Sequence, residues 1–232
     1  MESIKGTIKV IIPALNEEHS IGLVTRDIPD SLVEEIVVVD NGSTDNTAQV
    51  ARSSGATVLS ENKRGYGMAC LTGIKYVLSR EPIPEIIVFI DADYSDHPEE
   101  MSFLVNPIIE QGYDMVIGSR ALGNREKGSM TIPQVFGNWL ATSLLRLFYK
   151  VRFTDLGPFR AIKTSSLQKL HMADQNFGWT VEMQLKAAKN KMKCMEIPVS
   201  YRRRIGQSKV SGTVKGTILA GYKILWTIFK YL

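Results

Sequence analysis

The chain has 232 residues, 44% of them hydrophobic, enough for one large domain or two small ones with a full core. Twenty-eight Lys and Arg against 24 Asp and Glu leave a net charge of +4. That mild basic excess suits anionic small molecules or an anionic membrane surface, but the basic residues are too local for a nucleic-acid track. Two unpaired cysteines, Cys70 and Cys194, and three scattered histidines exclude a zinc cluster and point to a reducing compartment. No run of eighteen uncharged apolar residues occurs, and Met1 to Gly6 has no apolar core for a signal peptide. The expected location is cytoplasmic.

Thr7 to Pro13 reads as a first buried strand, followed by the loop Ala14-Leu15-Asn16-Glu17-Glu18 and a helix carrying Ile21, Val24 and Ile28. Glu35 to Asp40 is a second buried strand that ends in an acid. Asn41-Gly42-Ser43-Thr44-Asp45-Asn46-Thr47 then gives turn and capping chemistry, with Asp45 as a helix cap. A helix over 46–54, a short strand over 56–59 and the basic, glycine-punctuated loop Asn62-Lys63-Arg64-Gly65-Tyr66-Gly67 precede a helix over 68–79.

Ile86-Ile87-Val88-Phe89-Ile90 is a strand buried on both faces, and it runs straight into Asp91-Ala92-Asp93. In extended backbone, residues two apart point the same way, so Asp91 and Asp93 aim together past the small Ala92. Two hard oxygen groups at a strand end suit a divalent cation, Mg²⁺ or Mn²⁺, that also holds substrate phosphates. The plain alternative is a capped helix start at Pro98-Glu99-Glu100. It accounts for Asp96 as a cap but not for two acids directly after a buried strand.

A helix over 98–111 and a strand over 115–118 leading to Ser119-Arg120 complete a strand–helix alternation that predicts a mostly parallel α/β sheet. Ala121 to Pro133 reads as a mobile loop over a site, and Val135 to Tyr149 as a markedly apolar segment. Thr154 to Arg160 is a polar elbow, 178–189 a helix, 196–201 extended, and 202–209 a basic loop. On a helical wheel for 212–232, Lys215, Lys223 and Lys230 share one side, with Trp226 near them. Val214, Ile218, Gly221, Leu225, Ile228, Phe229 and Leu232 fall roughly opposite. Such a helix can lie in a membrane interface, pack on the core or meet another subunit. The chain therefore divides into a domain over 1–211 and an amphipathic helix over 212–232.

Asn16, Glu17, Asp40, the Lys63–Gly65 loop, Asp91 and Asp93 all follow strand ends. Parallel topology gathers them along one edge, which describes a nucleotide site. There is no glycine-rich dinucleotide fingerprint after the first strand, no P-loop and no glycine-flanked nucleophilic serine.

Pro13-Ala14-Leu15-Asn16-Glu17-Glu18, then Val37-Val38-Val39-Asp40-Asn41-Gly42-Ser43-Thr44-Asp45, then Asp91-Ala92-Asp93 resemble the motifs of family 2 glycosyltransferases. Gly118-Ser119-Arg120 and Arg203-Arg204-Ile205-Gly206-Gln207-Ser208-Lys209 resemble the branch that makes polyprenyl-phosphate mannose and glucose. The resemblance implies a GT-A fold and a nucleotide-diphosphate sugar donor, UDP- or GDP-linked. Pro13, Ala14, Asn16, Glu17, Asp40, Lys63, Gly65 and Ala92 would line the nucleotide-sugar pocket. Asp91 and Asp93 would hold the cation and the diphosphate, and Arg120, Arg203 and Lys209 would meet phosphates of donor or acceptor. This chain departs from the branch in having Ser95 where glutamine is frequent and Asn41 in place of an acid.

On this reading the reaction inverts the anomeric centre, with Asp93 and Arg120 at the reacting centre. The acceptor is a polyprenyl phosphate at a membrane surface, which needs no general base. A hydroxyl acceptor would need one, and Glu182 is the expected group, with Asp155 second. A non-catalytic nucleotide-sugar-binding module is the remaining alternative.

Overall fold

The computed structural model describes residues 7–206 and 214–232. The chain begins with β1 (Ile8–Ala14), α1 (Ile21–Asp27), β2 (Glu35–Asp40), α2 (Thr47–Ser53), β3 (Thr57–Ser60), α3 (Tyr66–Leu78) and β4 (Ile86–Phe89). A 3₁₀ turn at Pro98–Glu100 leads into α4 (Met101–Gln111), β5 (Met115–Ser119), α5 (Ile132–Tyr149), β6 (Arg160–Lys163), α6 (Thr164–Leu170), α7 (Trp179–Lys189), β7 (Cys194–Pro198) and α8 (Val214–Lys230).

The seven strands form one sheet in the order β3-β2-β1-β4-β6-β5-β7. Every pairing is parallel except those of β6, which runs antiparallel to both β4 and β5. All seven residues of β1 and all four of β4 are buried, as expected of parallel strands covered on both faces. Alternate side chains divide between two cores. Ile8, Val10, Ile12, Val38 and Val88 meet Ile21 and Val24 of α1 and Met101, Leu104 and Val105 of α4. Ile11, Val37, Val39, Ile87 and Phe89 meet Ala69, Cys70 and Val77 of α3 and Trp179 and Met183 of α7. A third cluster joins α5, α7 and α8 through Leu145, Leu185 and Ile228.

The register fixes where the site lies. Ala14 pairs with Asp40 and Ile11 with Phe89, so the loops after β1, β2 and β4 open at one edge of the sheet.

Several expectations change. β6 and α6 were not legible in the sequence. β6 has only four residues, one of them the fully buried Arg160, whose guanidinium donates to the carbonyls of Leu156, Gly157 and Thr180. α5 begins at Ile132, inside the expected loop, because Thr131 and Gln134 form a reciprocal capping box and Pro133 sits in the first turn. Asp96 caps nothing: it is buried, and neither carboxyl oxygen has a hydrogen-bond partner among the described residues. The rest of the 121–131 segment is stitched to the end of the sheet, with Tyr201 N–H donating to Asn124 O (2.9 Å) and Glu126 N–H to Tyr201 O (2.8 Å).

Two helical glycines separate packing from propensity. A Cβ at Gly73 would lie 2.6 Å from Ile11 Cγ2, whereas one at Gly137 would meet nothing within 4 Å. We expect Gly73→Ala to destabilise by about 1–3 kcal/mol through overpacking and Gly137→Ala to stabilise by about 0.5–1 kcal/mol, both read from urea midpoints.

Candidate active site

The loop after β1 is clamped to the loop after β2 by side-chain-to-backbone hydrogen bonds. Asn16, in the left-handed region at φ 53°, takes the Thr44 N–H on Oδ1 (2.8 Å), and its own N–H donates to Ser43 Oγ (2.9 Å). Glu17 N–H donates to Thr47 Oγ1 (2.7 Å). Asp40 Oδ1 accepts from Ser43 N–H (3.0 Å), and Asp45 Oδ1 accepts from Thr47 N–H (3.0 Å) at the start of α2. Pro13 and Ala14 are buried at the end of β1, and Ala14 O accepts from Asn41 N–H (2.8 Å). Asn41 organises the basic loop. Its amide donates to the carbonyls of Glu61 and Lys63 and accepts from Gly65 N–H (2.7 Å). Lys63 itself is exposed.

That loop is wedged against the turn before α7. Gly65 has φ +147°, and a Cβ there would lie 2.1 Å from the Gln175 carbonyl; at Gly67 it would lie 2.0 Å from the Asp174 carbonyl. Only glycine fits both places. The close approach directs Tyr66, whose hydroxyl donates to Asp91 Oδ1 (3.0 Å).

Beyond β4 the acids are crowded. Asp93 is buried; its Oδ1 accepts from Ser95 N–H (3.0 Å), and its Oδ2 meets Arg204 Nη1 (3.1 Å). Arg204 also pairs with Glu17, so one guanidinium bridges the loops after β1 and β4. Ala92, 3% exposed, keeps the two aspartates apart. Burial, and then the Asp93 charge, push the Asp91 carboxyl up to about 7 against the opposing pull of Tyr66 and Arg204. Burial and Asp91 hold Asp96 well above the carboxylate range.

Arg120, at the end of β5, is committed to Asp155. Its N–H, Nε and Nη2 reach that carboxylate at 2.7, 2.8 and 2.7 Å, and its guanidinium lies 5.1 Å from the Tyr201 ring centroid. Burial lowers its pKa, but Asp155 outweighs this and the net direction is upward. Asn138 of α5 fixes the elbow that carries Asp155, donating to Thr154 O (2.9 Å) and accepting from Leu156 N–H (2.8 Å).

Two sequence-predicted residues stand elsewhere. Arg203 is exposed, with its guanidinium on the Lys127 carbonyl (2.9 and 2.6 Å); its neighbour Arg204 reaches the acids instead. Glu182 is fully buried, and its carboxylate ties together the 173–178 turn, α7 and α8. It accepts from Asp174 N–H (2.7 Å), Ala173 N–H (3.1 Å), Lys186 Nζ (2.7 Å) and Tyr231 Oη (2.7 Å). With its lone pairs used in this way, it is built as an anchor rather than a proton acceptor. Lys209 lies outside the described residues. Tyr66, Arg204, Asn41 and Asp96 are the additions. Asn41 and Arg204 sit inside the motifs and Tyr66 and Asp96 outside them, and the roles of all four depend on tertiary contacts that no spacing encodes.

A seven-stranded mixed sheet between helices, with a pair of carboxylates beyond a central strand and beside the loops after β1 and β2, is an arrangement of the GT-A fold class. The profile of "Glycosyl transferase family 2" matches residues 9–171, and the chain belongs to that family. The dolichyl-phosphate hexose transferase of Haloferax volcanii is 30% identical over 220 residues, 91% of this chain and 90% of its own. The undecaprenyl-phosphate mannosyltransferase of Micrococcus luteus is 27% identical over 221 residues, 90% of this chain and 89% of that protein. Among solved structures, glucosyl-3-phosphoglycerate synthase of Mycobacterium tuberculosis in complex with Mn²⁺, UDP and phosphoglyceric acid superposes with a TM-score of 0.77 at 24% identity. The superposition covers 97% of this chain and 78% of that one, and shows the shared fold.

Burial raises the Glu182 pKa, but its hydrogen bonds from Lys186, Tyr231, Asp174 and Ala173 outweigh this and hold it below its ordinary 4.5. A carboxyl depressed by folding adds stability above its unfolded pKa and loses it as pH falls through the folded one. We expect Glu182→Gln to cost about 3 kcal/mol near pH 7. Urea denaturation across pH should show that deficit shrinking below about pH 4.5, the range in which the wild-type carboxylate takes up its proton.

Proposed function

We propose that this protein transfers a sugar, with inversion, from a UDP- or GDP-linked donor to a polyprenyl phosphate at a membrane surface. The observation that carries the reading is the Asp91–Asp93 pair beyond β4, facing Asn16, Glu17 and Asp40 beyond β1 and β2. Pro13, Ala14, Asn16, Glu17, Asp40, Lys63, Gly65 and Ala92 line the nucleotide-sugar side. Asp91 and Asp93 are the residues that would hold Mg²⁺ or Mn²⁺. Among the described residues no three His, Cys, Asp or Glu cluster to hold a metal. A cation held by one or two carboxylates would complete its shell with donor phosphates. The donor set fits in charge as well, because burial and mutual repulsion raise Asp91, and a nearby dication relieves both. When bound, such an ion neutralises charge on the departing diphosphate.

The chain's own residues supply the rest. Tyr66 and Ser95 orient Asp91 and Asp93. Arg204 pairs with both Asp93 and Glu17 and so ties the donor loop after β1 to the acids. Arg120, held by Asp155, adds fixed positive charge beside the acids. An acceptor phosphate oxygen attacks the anomeric carbon from the face opposite the diphosphate, the C1–O bond to the donor breaks, and the nucleoside diphosphate leaves. The oxygen is already ionised, so no proton has to move. This agrees with the engagement of Glu182 and Asp155 in structural contacts, which leaves neither poised as a general base.

Membrane placement has its own support. α5 and α8 pack against each other, and each exposes apolar side chains: Ile132, Phe136 and Trp139 on α5, Tyr222, Trp226 and Phe229 on α8, with Phe148 and Phe229 edge to face at 5.8 Å. The wheel is corrected here, since Ile228 turns inward while Ile218 and Phe229 face out. Lys230 lies 5.0 Å from the Trp226 ring centroid, the mixture that seats a helix among anionic headgroups, while Lys223, 4.5 Å from the same ring, pairs with Asp174 Oδ2 (3.0 Å). No helix among the described residues is long and apolar enough to cross a membrane. On the proposed reading the contact is peripheral, on the cytoplasmic face.

The test is sugar transfer to undecaprenyl phosphate from a panel of UDP- and GDP-sugars with Mn²⁺. We expect one donor class to be used, EDTA to stop transfer, and the Asp91→Asn, Asp93→Asn double variant to lose at least about 100-fold in rate with an unchanged urea midpoint. Wild-type turnover in that variant overturns the proposal. In flotation with anionic vesicles, Trp226→Ala combined with Phe229→Asp should move the protein to the soluble fraction.

A further inference from the structure

A cavity of about 370 Å³ lies between the 121–130 segment and α5, apart from the nucleotide loops. Its α5 wall is Val135, Asn138, Trp139, Thr142, Ser143 and Arg146. These recur at three- and four-residue spacing, so one helix face forms the wall for about 16 Å. Asp155 also lines the cavity, and it holds Arg120, whose charge acts on Asp91.

The lining combines two chemistries. Val135, Trp139, Met130 and Phe153 are apolar or aromatic. Arg125 and Arg146 bring two cations from opposite walls, and neither has a carboxylate partner among the described residues; Arg125 Nη1 reaches only Met130 Sδ, at 3.3 Å. Arg120 is by contrast committed to Asp155, Arg204 to Asp93 and Glu17, and Arg160 to carbonyls. Two uncommitted guanidinium groups over one cavity form an anion receptor, since the planar fork matches phosphate oxygens. An all-polar small acid would waste the apolar wall. A bare hydrocarbon would leave both charges unanswered. Val135 and Trp139 also reach the exposed apolar face of α5, so the cavity is continuous with the surface argued above to meet lipid.

We infer that this cavity is the acceptor subsite, that it takes a phosphate monoester carrying an apolar tail, and that Arg125 and Arg146 select the phosphate while Trp139 and Val135 select the first tail carbons. The inference rests on the functional reading above but deepens it, naming specificity residues that lie outside every motif quoted from the sequence. Both arginines are exposed, so their replacement leaves the fold intact.

The test measures binding to the full chain of farnesyl phosphate, farnesol, inorganic phosphate and phosphoglyceric acid. The proteins are wild type, Arg125→Gln, Arg146→Gln and Trp139→Ala, with UDP·Mn²⁺ and GDP·Mn²⁺ titrated in the same samples. We expect wild type to prefer farnesyl phosphate to the other three by about tenfold or more. Each arginine variant should lose about tenfold for farnesyl phosphate alone, and Trp139→Ala should weaken farnesyl phosphate and farnesol together. Affinity for the nucleotide that binds wild type should not change in any variant. The inference is overturned if farnesyl phosphate does not bind wild type, if its affinity survives both arginine changes, or if inorganic phosphate or phosphoglyceric acid binds as tightly. Failure of both nucleotides to bind instead sinks the donor side of the functional reading, and leaves an arginine-dependent prenyl phosphate site standing.

Discussion

Three carboxyl groups, Asp91, Asp93 and Asp96, stand within six residues of each other where a buried strand leaves the sheet, and their mutual repulsion in a poorly hydrated place governs the design around them. Water cannot screen them well, so the protein must supply the compensation itself. It does so with Arg204 from the segment after β7, with Arg120 at the end of β5, and with hydroxyls from Tyr66 and Ser95. Arg204, Arg120 and Tyr66 come from three different parts of the chain, so the site can assemble only when the whole sheet has.

The antiparallel strand β6 is what brings the second half of the chain to this place. Set between β4 and β5, it carries the 154–160 elbow next to the acids and delivers Asp155 to Arg120. Its first residue, Arg160, is a fully buried cation with only carbonyls as partners, and burial drops its pKa to about 10. Losing solvation here is opposed by Tyr66 and Asp155, so this charge also belongs to the balance around the donor loops.

How much of this was legible follows from what each feature depends on. β1, β2 and β4 could be read because a strand covered on both faces must be a run of apolar β-branched residues. Asp91, Asp93, Asp40 and Asn16 could be read because parallel topology gathers strand ends. Arg204 could not be distinguished from Arg203: in a run of three arginines outside any regular element, no period says which one turns inward. Glu182 was expected as the general base for a hydroxyl acceptor, and its partners, Tyr231 and the Ala173–Asp174 backbone, are set by packing that the sequence does not display. β6 stayed hidden because four residues with a charge at each end carry no pattern, and the expected loop over 121–133 overran the start of α5 because the capping pair Thr131 and Gln134 carries no apolar period.

The glycine-lined contact at Gly65 and Gly67 has a consequence for how the protein is made. The nucleotide loop rests on the 174–176 backbone, that turn hangs from Glu182, and Glu182 in turn takes a hydrogen bond from Tyr231 at the far end of α8. A ribosome emits residues in order, so a nascent chain carries Asp91 and Asp93 long before the groups that steady them exist. Donor recognition is thus among the last properties this polypeptide acquires during synthesis, although the residues that perform it are among the first translated.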